Sequence, residues 1–210
     1  MHSSPIEFYE SLNCWGQYVE KMTAAECEKC TMAVSDYTFI SVPTFLSWAV
    51  DKVNVMLCVK ETADLPRAVS TLVENNATHR AFLEVGLGEF LSLETNTPAG
   101  WDQVYYVVNM GTSDEVNRLL ASSAQLQSRA FLIEFNNWSE WGGTLTQDIA
   151  NVKNAGHRTM AATKDSPIGA TVQNHLDIYA SGIDVAYTYN LGNAVEARME
   201  VNTARGLTPP

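Results

Sequence analysis

One pattern recurs from residue 53 onward and limits the fold more than any other feature: a short apolar run, a polar turn, then an amphipathic helix. VNVMLCVK (53–60) leads to DLPRAVSTLVENN, RAFLEVGL (80–87) to GEFLSLETN, and DQVYYVVNM (102–110) to TSDEVNRLLASSAQLQ. RAFLIEF (129–135) leads, after NNWSEWGG, to TLTQDIANVKNAG; HRTMAAT (157–163) leads to ATVQNHLDIYASG; IDVAYTYN (183–190) leads to NAVEARMEVNTARG. The runs are almost continuously apolar rather than alternating, which suits strands of a parallel sheet buried on both faces. Each repeat is roughly 25 to 30 residues, the size of one strand-helix unit. Gly156 and Gly182 stand where a helix must stop before the next strand. Thr112 with Glu115, and Thr23 with Glu26, have the spacing of capping boxes that open helices.

Residues 1–52 precede the repeats and read as loops with two helices, one at 23–32 and one in VPTFLSWAVDK. No linker or low-complexity tract divides the chain, so residues 1–210 read as one domain with six units over 53–205, and the tail GLTPP as frayed. Alternating strand and helix means α/β. Two architectures stay open on the pattern alone. A doubly wound open sheet needs five or six strands; a (β/α)8 barrel of TIM type needs eight and typically ~250 residues. Neither G-x-G-x-x-G nor G-x-x-x-x-G-K-S/T occurs, which removes the phosphate loops that would favour the open sheet.

The net charge of −11 disfavours nucleic acid and anionic membrane surfaces as partners. A phosphate-bearing substrate would need a local positive centre, most simply a divalent metal. No window approaches ~18 unbroken apolar residues, so no transmembrane span is expected. MHSSPIEFYESLN lacks the basic and apolar regions of a signal peptide, so a signal, if the protein is secreted, is expected outside this chain. The sequons Asn76-Ala-Thr78 and Asn137-Trp-Ser139 give a weak pointer to a secretory route. Cys27-Glu-Lys-Cys30 has no second pair to complete a zinc set and no strand feeding it, so it reads as two small half-buried side chains on a helix face.

The segment VEKMTAAECEKCTMAVSDYTFISVPTFLSWAV resembles a stretch of the glycerophosphodiester phosphodiesterases. Gly16, Val19, Thr23 and Glu26 match the pattern G-x-V-x-D-L-T-x-x-E-L, and Val42-Pro43-Thr44-Phe45 with Trp48 match I-P-T-L-x-E-x-L. KNAGHRTMAATKD resembles the family's helix-Gly-strand ending in W-T-x-N, and IYASGIDVAYTYNLGNAVEARMEVNTARG its closing strand and helix. The resemblance implies a (β/α) barrel that begins near the end of the second strand and supplies the remaining six. Two edges would then lie open, and a partner chain covering them is expected.

The resemblance also assigns roles. His2 falls where the family's strand-ending His acts as general acid on the leaving group; the family's neighbouring Asp is Ser3 here. The strand after Phe45 ends in Glu-x-Lys in the family and in Cys58-Val-Lys60 here, so the metal-binding carboxylate is replaced by a thiol, a poor ligand for Mg²⁺ or Ca²⁺. No metal site is therefore expected in the chain as it stands, and Mg²⁺ or Ca²⁺ only with a complete family site. Lys60 is implied to hold a phosphate. Glu84 and Glu134 interrupt apolar runs, which is costly unless each is paired, and they are expected to face the barrel mouth and partner Lys60. Thr163 and Tyr189 end the last two strands, preceded by Ala162 where the family has Trp and replacing an Asp, respectively. His79-Arg80 and His157-Arg158 begin strands and read as surface residues of the opposite rim. Three functions stay open: metal-dependent phosphodiester hydrolysis in lipid metabolism, a catalytically silent relative that binds a glycerophospholipid-derived molecule or acts as a structural subunit, and an open-sheet small-molecule binder.

Overall fold

The computed structural model describes residues 22–31, 38, 40–163 and 170–207. Two helices lead in, α1 (Ala24–Cys27) and α2 (Val42–Ala49). The six repeats follow as β1 (Val55–Cys58), α3 (Leu65–Glu74), β2 (Ala81–Gly86), α4 (Leu87–Ser92), β3 (Tyr105–Met110), α5 (Ser113–Leu120), α6 (Ala124–Gln127), β4 (Ala130–Phe135), α7 (Leu145–Asn154), β5 (Arg158–Ala162), α8 (Val172–Ala180), β6 (Val185–Tyr187) and α9 (Leu191–Ala204).

All six strands pair in parallel, in the order β1-β2-β3-β4-β5-β6. This order decides between the two architectures. A doubly wound sheet reverses its strand order at a switch point so that helices cover both faces. An unbroken sequential order has no reversal, and right-handed crossovers then place every helix on the same face. The sheet curls around its bare face, giving an incomplete TIM-type barrel; the open-sheet alternative is overturned. Among the described residues β1 pairs only with β2 and β6 only with β5, so both edges are unpaired.

Two cores result. Leu83, Val85, Tyr106, Val108, Ile133 and Phe135 point outward and pack on helix residues such as Leu72, Phe90, Val116, Leu119 and Val152. The alternate residues, Val107, Leu132 and Met160, form a small separate cluster with Met56 and Phe82 on the concave face. Both sides of a strand are thus apolar, which is why the runs do not alternate in sequence. Between Tyr106 and Val107 the β3–β4 register shifts, and Phe131 stacks on Phe82 at 5.0 Å.

The ends of the helices follow the local chemistry. Thr23 and Glu26 form a full capping box: Thr23 Oγ1 accepts from the Glu26 N–H at 3.3 Å, and Glu26 Oε2 from the Thr23 N–H at 2.7 Å. That helix is a single turn, shorter than the 23–32 segment expected. Thr112 Oγ1 accepts from the Glu115 N–H, but the Glu115 carboxylate reaches back to the Gly111 N–H instead of the cap. Thr112→Ala is expected to lower unfolding stability by about 1 kcal/mol, read from urea denaturation. The long helix expected after β3 breaks into α5 and α6, because Ser123 caps a fresh helix and donates its N–H to Glu94 Oε1 at 2.9 Å. Gly156 and Gly182 both have φ of +93°, the left-handed geometry of a helix stop. Cys30 is fully buried and disulfide-bonded while Cys27 is free, so the C-x-x-C is not a dithiol and the half-buried reading fails for Cys30. Among the described residues no helix is long and apolar enough to cross a membrane.

Candidate functional site

The carboxyl ends of the strands bring a polar cluster to one rim. On β1, Met56 and Cys58 alternate onto the concave side, with Lys60 two residues past the strand end; on β2, Phe82 and Glu84 do so; on β3, Val107 and Asn109; on β4, Leu132 and Glu134. Cys58 is in register with Glu84, and Asn109 with Glu134. Each strand thus lays an apolar side chain deeper in the barrel and a polar one above it. Tyr187 and Tyr189 complete the rim from the β6 side, edge to face with ring centroids 5.9 Å apart.

The charges of this rim act on one another. Glu134 is only 7% exposed, and no hydrogen bond reaches its carboxyl among the described residues. Burial, reinforced by the charge of Glu84 and opposed by Lys60, pushes Glu134 up to about 7. Near neutral pH this carboxyl is divided between its acid and its anion. Glu84 is held instead as an acceptor: Asn109 Nδ2 donates to its Oε1 at 2.9 Å. Lys60 is raised above the usual lysine range, first by its polar interaction with Cys58 and then by the charges of Cys58, Glu84 and Glu134, against its partial burial. The Cys58 thiol is raised by withdrawal from water and by Glu84, with Lys60 opposing. Tyr187 is raised by burial and by Tyr189, Glu84, Glu134 and Cys58.

The expected partnership of Lys60 with two carboxylates is thus present as a field rather than as a contact. Among the described residues the one ion pair is Lys153 with Asp184, on the other rim. Cys58, Glu84 and Glu134 all act on Lys60 and raise it, but none of them closes an ion pair with it. Cys58 and Lys60 also line a cavity of about 620 Å³ at the open edge of β1, with Ser41, Pro43, Asp64 and Arg67.

Of the other expected site residues, Tyr189 joins the cluster through Tyr187. Thr163 does not. It is 1% exposed, on the side of Ala161 that faces the helices, and its hydroxyl is buried without a partner; its N–H donates to the Tyr187 carbonyl at 2.8 Å. His2 and Ser3 lie outside the described residues. His79 and Arg80 are exposed at the start of β2 as expected, but His157 is buried, at 8% exposure. The sequence reading passed over Asn109 and Tyr187. Asn109 was visible as the one polar residue in YYVVNM, one step from the strand end, where a barrel places its site. His175 was also passed over and is structural: its Nδ1–H donates to the Thr171 carbonyl at 2.6 Å, leaving Nε2 to accept from the Thr188 hydroxyl at 2.8 Å.

The donor set can be tested against a hard divalent cation. Among the described residues no three His, Cys, Asp or Glu side chains are placed to share a metal ion. A thiol stands at the end of β1, Glu84 is engaged by Asn109, and Glu134 keeps a proton for part of the time at neutral pH. These residues do not fit Mg²⁺ or Ca²⁺, which favour several ionised oxygen ligands.

Fold and rim together define an incomplete (β/α) barrel of TIM type with a polar mouth at the carboxyl ends of its strands. The solved structures it resembles include a protein of Galdieria sulphuraria provisionally assigned as a glycerophosphodiester phosphodiesterase. The match has a TM-score of 0.64 at 10% identity and covers 97% of this chain and 79% of that one. At that identity the likeness establishes the fold. A dihydropteroate synthase of Yersinia pestis aligns over 75% of this chain and 94% of its own, at 11% identity and a TM-score of 0.26, too low to bear on the argument. No protein-family model matches the sequence, nor does any curated protein sequence.

Proposed function

We propose that the chain is a phosphodiesterase-like barrel whose mouth binds a small phosphodiester of glycerophospholipid type without hydrolysing it by metal chemistry at the described residues. The observation that carries this reading is the pairing of Cys58 with Lys60. The cation that would hold a phosphate is present, while a thiol occupies the place where the family resemblance requires a metal-binding carboxylate. The lining of the adjoining cavity adds Arg67 as a second cation. The half-buried Glu84, held by Asn109, offers acceptors to glycerol hydroxyls, and the exposed Tyr187 and Tyr189 offer ring faces to a headgroup. The disulfide at Cys30 supports an oxidising compartment.

The test is calorimetric titration with glycerophosphocholine. Saturable binding is expected, and Lys60→Ala is expected to weaken it about 10- to 100-fold, the value of a charged hydrogen bond to phosphate. Equal affinity of the variant and the parent protein would overturn the assignment of Lys60. One observation favours a second reading, hydrolysis. Glu134 titrates near 7, where a general acid or base works best. Release of glycerol phosphate that is stimulated by a divalent metal and lost in Glu134→Gln would establish that reading in place of simple binding.

A further inference from the structure

The rim opposite the mouth carries a different charge pattern. At the amino ends of β5 and β6 a cavity of about 520 Å³ is lined by Lys153, His157, Arg158, Asp184, Arg198 and Arg205. Four of the 13 lysines and arginines of a chain with net charge −11 therefore converge on one concavity, against a single carboxylate. That carboxylate is already committed. Asp184 accepts from Lys153 Nζ at 2.7 Å, from the Thr159 N–H at 3.0 Å and from the Thr159 hydroxyl at 2.9 Å. Burial pushes Asp184 up, but Lys153 and Thr159 outweigh it and hold the carboxyl below the usual range.

The three guanidiniums remain uncompensated. Among the described residues none of Arg158, Arg198 and Arg205 forms an ion pair. Arg158 lies over the Phe131 ring at 5.9 Å and Arg198 over the Tyr179 ring at 5.8 Å, contacts that hold each side chain by one face and leave the edges of the guanidinium fork free. Like charges gathered in a concavity repel one another, and a chain with 24 aspartates and glutamates has ample means to neutralise them, yet they stay together. His157 lines the same cavity. His157 donates its Nδ1–H to the Ala130 carbonyl at 2.7 Å, which leaves Nε2 buried with no hydrogen-bond partner. Burial lowers this histidine, opposed by the Ala130 carbonyl, so the neutral ring presents a bare acceptor. A ligand bearing both an anionic oxygen and a hydroxyl answers both needs, and a phosphate monoanion is such a group.

We infer that this cavity is an anion site for a small, soluble phosphate compound, held by the forks of Arg158, Arg198 and Arg205 with His157 Nε2 accepting a ligand hydroxyl. The inference is independent of the mouth. A membrane phosphate is the poorer source, because the site is concave and the rest of the chain is repelled by an anionic bilayer.

The test uses the full chain and pyrophosphate, followed by calorimetry at low and high salt. Saturable binding is expected, weakening as salt rises. Arg198 on α9 and Arg205 at its C-cap are exposed, so the double variant R198E/R205E is expected to fold, shown by an unchanged circular dichroism spectrum, and to bind at least about tenfold more weakly. Arg118→Ala, an exposed residue of α5 outside both the mouth and this cavity, is expected to leave pyrophosphate binding unchanged. The His157 ring resonances are expected to shift with pyrophosphate and not with chloride at matched ionic strength. No saturable binding at millimolar pyrophosphate overturns the inference. So does equal affinity of a folded R198E/R205E, or capture by phosphatidic acid vesicles without binding of pyrophosphate.

Discussion

Cys58→Glu is expected to raise the affinity of the mouth for divalent cations. The substitution adds a carboxylate at the end of β1, in register with Glu84 and on the same concave side as Glu134. Three carboxylates then converge on the mouth. Without metal their repulsion lowers stability, by roughly 1 to 3 kcal/mol. Ca²⁺ or Mg²⁺ reverses the sign, because the ion neutralises the repulsion and binds only the folded form. The measurement is the melting temperature with and without metal. The parent chain should show no shift and the variant a rise of several degrees. Metal binding must also expel the proton of Glu134, so affinity in the variant should strengthen as pH rises through about 7. A variant that is folded and indifferent to metal would show that Cys58 is not the residue that separates this mouth from a metal centre.

The second large effect concerns Glu134 in the parent chain. Its carboxyl is raised from 4.5 in the unfolded chain to about 7 in the folded one. The folded state therefore binds this proton more tightly than the unfolded state. Below about pH 4.5 both states are protonated and the stabilisation is whole; it is lost progressively as pH rises through about 7. The loss is on the order of 3 kcal/mol. Asp184 works in the opposite sense, its depressed value giving stability that disappears as pH falls through its folded value. Glu134→Gln isolates the first contribution: its urea midpoint is expected to decline less between about pH 4.5 and 8 than that of the parent chain. Parallel pH profiles for the two proteins would place Glu134 in water rather than in the wall of the mouth.

Much of the fold was legible because parallel strands packed on both faces write an unmistakable run of apolar letters. Each of the six runs contains one of the strands, and Gly156 and Gly182 mark two helix stops with a conformation that disfavours other residues. The split between α5 and α6 was hidden because Ser122 and Ser123 can continue a helix or cap one, and the choice falls to Glu94, distant in sequence. The site was legible only in part. Glu84 and Glu134 stood out as charges in apolar runs, and both face the mouth. Thr163 was misjudged by a single step of the strand, which is enough to turn a side chain from the lumen to the helices. His157 was misjudged because the residue leading into a strand is usually wet; here its Nδ1–H meets the Ala130 carbonyl.

The division of the apolar residues into two cores has a consequence for how such a chain can change over time. Nearly all of the packing that secures the chain lies between the strands and the helices outside them, whereas the concave lining rests on Val107, Leu132 and Met160 with two partly covered neighbours. A substitution at the rim of the bowl disturbs less apolar packing than one in its wall. Chemistry can therefore be altered at the mouth while the architecture around it persists.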